Sequence, residues 1–478
     1  MALDENGGTA HKWKKFRQVR PLSAIHPLEE IRARSTEAGH GLYLGIGPRG
    51  FIWAPPQSSV LLLGPPRSGK TSSIVIPAIA STNGPVVSTS TKPDVLQATC
   101  VARGKVGTCF LYDPFSSYSF EIPDRPGAYR RLRWSPVTAC TEFSTALSIS
   151  KAMVQAARPE VAAAGDDHWT GRAHILLASL LHAAALEALP LRTMLSWANR
   201  HSPGEALKIL GNRNAEVALW AMEGIVVTDE REQSGIWSTT CEVLSAYLSE
   251  PVLATTNEPN FDPLSFADSA DTVYICSEGH YQRLLAPLII GLIDEIVRAR
   301  YRTTAAQLTT EQLPASPPLV LALDELANIA PLPYLPNLAS EGGGQGVLTL
   351  ACFQDLSQAR QRWPILADGF LSLFRTKLIL GGIGDLRTLE AISTLLGYRD
   401  VPTPTTTTTR WWPTRRATGM TGSKSWSIRK ERRMDLYDIA KGLPGMALML
   451  EGSTNASWVE LTPWYCSQPW ASLAQPIG

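Results

Sequence analysis

The segment that decides the fold of this chain reads Val60-Leu-Leu-Leu-Gly-Pro-Pro-Arg-Ser-Gly-Lys-Thr71. Residues 64–71 fit the pattern G-x-x-x-x-G-K-[ST], in which a glycine-rich backbone turns its N–H groups toward bound phosphates. An apolar strand precedes this loop, and residues 72–79 can continue as a helix whose N-terminus favours negative charge. The order of strand, loop and helix predicts a nucleotide-binding P-loop and disfavours a chance match within a turn.

The P-loop pattern assigns a role to each of its residues. The Lys70 ammonium would reach the β- and γ-phosphates of ATP, and the Thr71 hydroxyl would ligate Mg²⁺. The rest of the loop would contact the phosphates, which makes these residues cofactor-binding candidates: Gly64, Pro65, Pro66, Arg67, Ser68 and Gly69. ATP and Mg²⁺ are therefore the predicted cofactors.

A pair of acidic residues is the candidate second half of the site. Residues 319–325 read Leu-Val-Leu-Ala-Leu-Asp-Glu, an apolar strand that ends in two carboxylates. Asp324 would hold the Mg²⁺, and Glu325 would polarise the water that attacks the γ-phosphate. Acids that follow a strand also serve as helix N-caps, but that explanation accounts for one acid and not for a pair that accompanies a P-loop.

A glutamine follows another apolar strand. Gln354 comes directly after the run 347–353. In motors of the RecA and FtsK type, a polar residue at the tip of the strand beside the P-loop strand senses the γ-phosphate, and Gln354 is a candidate for that role. The alternative is a surface glutamine that opens a helix.

Apolar runs alternate with helical patterns along much of the chain. Continuous runs rich in Val, Ile and Leu are typical of parallel strands that are covered on both faces. The predicted strands are residues 60–63, 85–90, 108–112, 272–276, 319–323, 347–353 and 376–380. This alternation predicts an α/β fold with a largely parallel central sheet.

Three parts of the chain depart from that alternation. Residues 1–44 are polar and predict an irregular N-terminal segment, and residues 141–260 are rich in Ala, Leu and Glu at helical spacing. The second stretch predicts an all-α domain inserted into a discontinuous nucleotide-binding domain made of residues 45–140 and 261–478. Residues 402–433, a Thr-rich and cationic tract, predict a further break in regular structure, and residues 446–451 and 457–461 predict a hairpin after it.

Composition narrows the function classes. The formal net charge is +1, so any basic surface for nucleic acid must be local. The seven cysteines are spaced singly, which gives neither a zinc motif nor a disulfide framework. The apolar stretches 175–191 and 284–293 are interrupted or too short for a helix that spans a bilayer, so the chain is expected to be soluble.

Together these motifs resemble the type IV coupling proteins of bacterial conjugation and secretion, the VirD4/TraG group. The resemblance runs from about residue 40 to the end, and its most specific block is 323–328 followed by 342–346 and Phe353-Gln354. The other segments that carry it are 64–71 with Ile76-Pro77, 85–94, 112–115, His168-Trp169, 231–236, 442–447 and 463–465.

This resemblance implies more than the residues alone. It implies a RecA/FtsK-like P-loop nucleotide-binding domain that carries an all-α domain, and hexamers around a central channel. It also implies ATP-driven delivery of a relaxase-bound DNA strand or of secreted proteins into a type IV secretion channel. It places the protein at the cytoplasmic face of the bacterial cell membrane, with the channel or a membrane anchor protein as partner. Members usually begin with transmembrane helices, which this sequence does not contain.

A cationic tract with interleaved aromatic residues is the candidate DNA contact. Residues 401–433 contain eight Lys or Arg and one acid, Glu431. Cations that neutralise phosphates and aromatic rings that stack on bases hold a single strand without reading its sequence. The candidate residues are Arg410, Trp411, Trp412, Arg415, Arg416 and Lys424. A solvated flap explains the same composition equally well.

Three functions remain open at this point. The leading hypothesis is a coupling-protein ATPase, and the rivals are a double-strand DNA translocase of the FtsK/HerA type and a substrate receptor in which ATP regulates assembly only. Hexameric motors also place an arginine in the neighbouring subunit's site. The sequence does not choose among its candidates for that finger, which are Arg360, Arg362, Arg375 and Arg387.

Overall fold

The computed structural model describes residues 27–118, 127–158, 168–309, 316–410, 420–452, 455–466 and 468–474. The strands of this part are β1 (Tyr43–Gly47), β2 (Gly50–Trp53), β3 (Val60–Leu63), β4 (Val86–Ser90), β5 (Cys109–Tyr112), β6 (Arg130–Arg131), β7 (Thr272–Cys276), β8 (Leu319–Leu323), β9 (Val347–Phe353), β10 (Thr376–Leu380), β11 (Tyr398–Arg410), β12 (Met420–Arg432), β13 (Met446–Glu451) and β14 (Asn455–Glu460).

α-Helices form a second set of regular elements in the described part. They are α1 (Pro27–Glu37), α2 (Ile76–Ser81), α3 (Asp94–Arg103), α4 (Phe143–Ala157), α5 (His168–Leu186), α6 (Leu191–Asn199), α7 (Gly204–Asn212), α8 (Glu216–Val226), α9 (Glu230–Val243), α10 (Glu250–Ala254), α11 (Pro263–Ala267), α12 (Gln282–Thr309), α13 (Leu326–Ile329), α14 (Leu335–Glu341), α15 (Leu356–Arg362), α16 (Phe370–Leu373), α17 (Leu386–Leu396) and α18 (Leu436–Lys441).

One twelve-stranded sheet organises the described part of the chain, in the order β2-β1-β14-β13-β10-β3-β9-β8-β4-β7-β5-β6. Every neighbouring pair from β10 to β6 is parallel, and the pairs from β10 to β2 are antiparallel. The predicted α/β class with a mostly parallel sheet is confirmed, and each predicted strand is present. The predicted hairpin near the C-terminus corresponds to β13 and β14.

The strand order brings distant motifs to one edge of the sheet. The strand before the P-loop, β3, pairs in parallel with β9, and β9 pairs in parallel with β8. Parallel strands end at the same edge, so the P-loop, Gln354 and the acidic pair after β8 all lie there, with Gln354 between the other two. In open α/β sheets, ligands bind outside this carboxyl edge.

Side chains of each central strand alternate between two covered faces. On β3, Leu61 and Leu63 belong to one buried apolar cluster, and Val60 and Leu62 belong to the other. Covering both faces removes all four side chains from water, which explains the continuous apolar run in the sequence.

The regular elements described between β6 and β7 are all helices. The long helix α12 packs against α4, and α4 packs against α5. The apolar cluster on one face of the sheet continues into this helical region through Leu176, Leu180 and Trp237. The exact division into domains at residues 44, 140 and 260 stays a prediction. Among the described helices, none combines the length and apolar character that a membrane span needs.

The expectation of an irregular segment up to residue 44 is wrong for residues 27–44. This stretch contains α1, which buries Leu28 and Ile31, and the start of β1. The buried Arg32 side chain donates hydrogen bonds to the carbonyl oxygens of Ala80 (3.2 Å) and Ala102 (3.0 Å) near the ends of two other helices. A helix that is held partly through an arginine gives only a weak apolar pattern in the sequence.

The expected break in regular structure is also wrong for residues 402–410 and 420–432. Strands β11 and β12 pair in antiparallel register from Tyr398 opposite Arg432 to Arg410 opposite Met420. Threonine is β-branched and favours extended backbone, which accounts for a long strand without an apolar run. Residues 411–419 lie outside the described part.

A largely buried carboxyl group connects the long helix α12 to the segment that follows β6. Glu295, on α12, accepts a 2.5 Å hydrogen bond from the indole Nε1 of Trp134. Burial is the largest cause that raises the pKa of Glu295, to about 7, while the Trp134 bond acts in the opposite direction.

Glu295→Gln is expected to change how stability depends on pH. The folded-state pKa lies above the ordinary value of 4.5, so folding favours the protonated form, and this stability is lost as pH rises from about 4.5 to about 7. Glutamine keeps an acceptor for Trp134 but cannot ionise. Urea unfolding should therefore give similar stability for both proteins near pH 4, and near pH 8 an advantage for the variant of up to about 3 kcal/mol. Glu223→Gln, on the exposed face of α8, is the control; an equal pH response in Glu295→Gln and the parent protein would contradict the assignment.

Candidate nucleotide-binding site

The loop at residues 64–71 has a shape that two glycines make possible. A Cβ on Gly64 would lie 2.8 Å from Ser68 Oγ and 2.9 Å from Leu380 Cβ, and Gly69 has φ +91°. The Gly64 N–H donates to the Phe353 carbonyl at 3.1 Å, so the loop leaves the sheet directly from the β3–β9 ladder. A π-helical turn, Thr71–Val75, follows and runs into α2.

The Lys70 ammonium lies inside this loop. Its side chain is buried, and Nζ donates to the carbonyl oxygens of Gly64 at 2.5 Å and Pro65 at 3.0 Å. The positive charge is thus held where the P-loop pattern predicts phosphates.

Thr71 and Asp324 meet although 253 positions separate them in the sequence. The Thr71 hydroxyl donates to Asp324 Oδ2 at 2.5 Å, and the Thr89 hydroxyl donates to the backbone carbonyl of Asp324 at 2.8 Å. Burial is the main cause that raises the pKa of Asp324, and the Thr71 bond and the Lys70 charge counteract it. The two oxygen-bearing side chains predicted to hold Mg²⁺ are therefore adjacent.

Glu325 occupies a turn with an unusual backbone. Its φ of +52° and ψ of +38° place it in the left-handed region, just before α13. Its carboxylate accepts a 3.4 Å hydrogen bond from Asn328, and its side chain is half-buried at the wall of the cleft that holds the P-loop. A non-glycine residue in this region costs free energy, and such strain is common at functional sites.

Gln354 stands beside the cleft rather than in its wall. It follows β9 between the ends of β3 and β8, and its backbone N–H donates to Gln358 Oε1 at 2.9 Å. The N-cap of α15 is the next residue, Asp355, which accepts a hydrogen bond from Ser357 N. Its role as a γ-phosphate sensor stays a prediction, and the described residues that line the cleft do not include Gln354.

The cleft has a volume of about 790 Å³ and extends beyond the P-loop and the acidic pair. The sequence motifs did not assign several of its lining residues to the site, namely Lys92, Asp94, Gln97, Trp464 and Tyr465. Most of these residues lie in two segments that carry the family resemblance, 85–94 and 463–465, and that resemblance was the available signal in the sequence.

The candidate DNA residues fall mainly outside the described part of the chain. Trp411, Trp412, Arg415 and Arg416 belong to residues 411–419, and only the strand positions of Arg410 in β11 and Lys424 in β12 are given. Nearby on β12, Trp426 is 68% exposed.

The candidate arginine fingers differ in their surroundings. Arg360 forms an ion pair with Asp385, and Arg362 Nε donates to the Ala327 carbonyl at 2.9 Å. Arg375 is largely exposed, with a 4.0 Å approach to Glu451, and Arg387 is exposed on α17. Which of the four serves as the finger stays a prediction, and Arg375 and Arg387 are the two with exposed side chains.

Comparisons with known proteins agree with the motifs. Residues 318–441, which contain Asp324, Glu325 and Gln354, match the family model described as the TraM recognition site of TraD and TraG. Over these residues the predicted resemblance to the VirD4/TraG coupling proteins is confirmed. No curated protein matches the sequence.

Solved structures of the plasmid coupling protein TrwB share the fold. TrwB in complex with the ATP analogue ADPNP is 18% identical, with 96% of this chain and 95% of that chain covered and a TM-score of 0.64. TrwB with ADP and Mg²⁺ is 17% identical over 89% of this chain and 90% of that chain, with a TM-score of 0.61. The unbound form of TrwBdeltaN70 is 16% identical over 91% of each chain, with a TM-score of 0.62. At these identities the likeness establishes the P-loop fold.

Removing the Thr71 hydroxyl should destabilise the protein. Thr71→Val keeps the side-chain shape but leaves the buried Asp324 carboxylate without its 2.5 Å donor, at an expected cost of about 1–3 kcal/mol in the free energy of unfolding. Thr71→Ser keeps the donor and should stay within about 1 kcal/mol of the parent protein. Chemical denaturation of the three proteins measures this; equal stability of the Val and Ser variants would show that the hydrogen bond contributes nothing.

Proposed function

We propose that this chain is an ATP-hydrolysing coupling protein that drives DNA or protein substrates into a type IV secretion or conjugation channel. One observation carries the proposal: the Thr71 hydroxyl lies 2.5 Å from the Asp324 carboxylate, in a cleft that also contains Lys70 and Glu325. ATP hydrolysis in this class of enzyme needs three elements: a P-loop, a carboxylate beside its Thr and a second carboxylate next in sequence.

The residues present fit a magnesium nucleotide. Thr71 and Asp324 supply oxygen atoms, which are the ligands that Mg²⁺ prefers, and the buried Ser68 hydroxyl in the loop has no hydrogen-bond partner among the described residues. Mg²⁺, when bound, would neutralise charge that develops on the phosphate oxygens. In this proposal Lys70 binds the β- and γ-phosphates, Glu325 orients and polarises the attacking water, and Gln354 responds to the γ-phosphate.

The proposed partners follow from the relatives. The matching family model is named for TraM recognition, and TrwB is a plasmid coupling protein. We propose that this chain serves a relaxosome, with a relaxase-bound single strand as cargo, or alternatively that its cargo is secreted proteins. The proposed working form is a homo-hexamer at the cytoplasmic face of the bacterial membrane, held there by the secretion channel or by a membrane anchor protein.

Two alternative functions would use the same nucleotide cleft or the same helical region. A double-strand DNA translocase of the FtsK/HerA type would use the same cleft, and a receptor would use the helical region for partner binding and ATP for assembly only. The match over residues 318–441 favours the coupling role over the translocase.

Two substitutions test hydrolysis separately from binding. Lys70→Ala should abolish turnover and weaken ATP binding, because it removes the cation that lies in the loop. Glu325→Gln should keep ATP binding and lower kcat by about 10²–10⁴-fold, because an amide cannot act as a general base. Steady-state ATPase and equilibrium binding of ATP provide the two readouts. Glu390→Gln, on the exposed face of α17, is the matched control; wild-type turnover by Lys70→Ala would refute the proposal.

The response of the ATPase rate to DNA distinguishes the three functions. Strong stimulation of ATPase by single-stranded DNA supports the coupling role, and stimulation by duplex alone supports the translocase. No stimulation by either, together with partner-dependent assembly in the presence of ATP, supports the receptor.

The cationic tract predicts a salt-dependent contact. Arg415→Glu/Arg416→Glu should lower the magnitude of the slope of log K against log salt for single-stranded DNA by about 0.7 per lost phosphate contact. Arg200→Glu/Lys208→Glu makes the same charge change at exposed positions of the helical region and is the control. An unchanged slope in the Arg415/Arg416 variant would exclude the tract as a DNA contact.

A further inference from the structure

The C-terminal segment forms part of the nucleotide cleft. A 3-10 turn, Trp464–Cys466, contacts the π-helical turn that follows the P-loop, and Trp464 and Tyr465 line the same cleft as Lys70 and Thr71. Both residues lie more than 390 positions beyond the P-loop in the sequence, so the P-loop motif could not reveal them.

This segment is fixed at both ends. Before the turn, Leu461 N donates to the Gly445 carbonyl at 2.8 Å, which extends the β13–β14 hairpin. After the turn, the ring of the fully buried Trp470 packs edge-on against that of Tyr43, with the centroids 5.1 Å apart. The Trp470–Ala474 turn also contacts α3, whose first turn forms another wall of the cleft.

The two aromatic rings of the turn are exposed to different degrees. Trp464 is half-buried against the apolar cluster, whereas Tyr465 is 60% exposed. Their ring centroids lie 5.8 Å apart in an edge-to-face arrangement. Trp464 therefore supports the ring of Tyr465 from the protein side and leaves much of the tyrosine open to the cleft and to solvent.

We propose that Tyr465 is the stacking platform for the base of the bound nucleotide, an inference that rests on the proposed function. The P-loop and the acidic pair account for the triphosphate and its cation, and neither provides an apolar surface for a base. Bases stack on aromatic side chains through their π-faces. Among the residues lining the described cleft, Trp464 and Tyr465 are the aromatic ones, and Tyr465 is the more exposed.

The same wall predicts selectivity between base classes. The exposed Gln97, one turn into α3, also lines the cleft. A glutamine amide offers both a donor and an acceptor and can turn to present either to a base edge. Stacking area is larger for a two-ring purine than for a one-ring pyrimidine. The site thus favours purine nucleoside triphosphates over pyrimidine ones, with little discrimination between the two purines.

Isothermal titration with Mg²⁺ and either ATP, CTP or inorganic tripolyphosphate tests this inference. Tyr465→Ala should weaken ATP binding by about 5- to 100-fold and leave tripolyphosphate binding unchanged, because only the base contact is lost. Tyr465→Phe keeps the ring and should bind ATP as the parent protein does. Tyr437→Ala removes an aromatic side chain that is 71% exposed and does not line the cleft, and it is the control.

The outcomes are distinct. An ATP-specific loss in Tyr465→Ala, restored in Tyr465→Phe, and weaker binding of CTP than of ATP by the parent protein support the platform. Equal losses for ATP and tripolyphosphate, or no loss for either, would overturn it. Failure of the parent protein to bind any of the three ligands would instead refute the proposed function itself.

Discussion

The hydrogen bond between Thr71 and Asp324 depends on one constraint, the order of the strands β3, β9 and β8. Parallel pairing aligns the carboxyl ends of these strands, so that the P-loop and the acidic pair meet across a single intervening strand. The buried ladder contains only apolar, Thr and Cys side chains on these strands, and this composition leaves the polar groups at the edge. The chemistry of the site is therefore a consequence of sheet topology.

Polar groups at this edge form hydrogen bonds with one another. Lys70 donates to loop carbonyls, Thr71 donates to Asp324, and Thr89 donates to the Asp324 backbone. Such a network is needed because buried charges without partners are costly. It also fixes the rotamers of the groups that a magnesium nucleotide would contact, which reduces the ordering cost of binding.

Much of this architecture could be predicted from the sequence, because buried parallel strands read as continuous apolar runs and the P-loop has a fixed spacing. The helix α1 could not be predicted, since Arg32 contributes hydrogen bonds to helix carbonyls where an apolar side chain would have given a pattern. The hairpin of β11 and β12 could not be predicted because β11 is rich in Pro and Thr and neither strand contains an apolar run. The place of Tyr465 in the cleft depends on contacts that only the folded chain creates.

The apolar cluster that runs from one face of the sheet into the helical region restricts how the two can move. Swinging the helices away as a rigid body would expose this shared interior to water, at a cost that grows with the apolar area uncovered. Close-packed interfaces of this kind accommodate small sliding displacements more readily than hinge opening. We therefore expect any conformational coupling between the cleft and the helices to involve sliding of α12 and α4 by about an ångström or two. A hinge motion that separates the helices from the sheet is not expected.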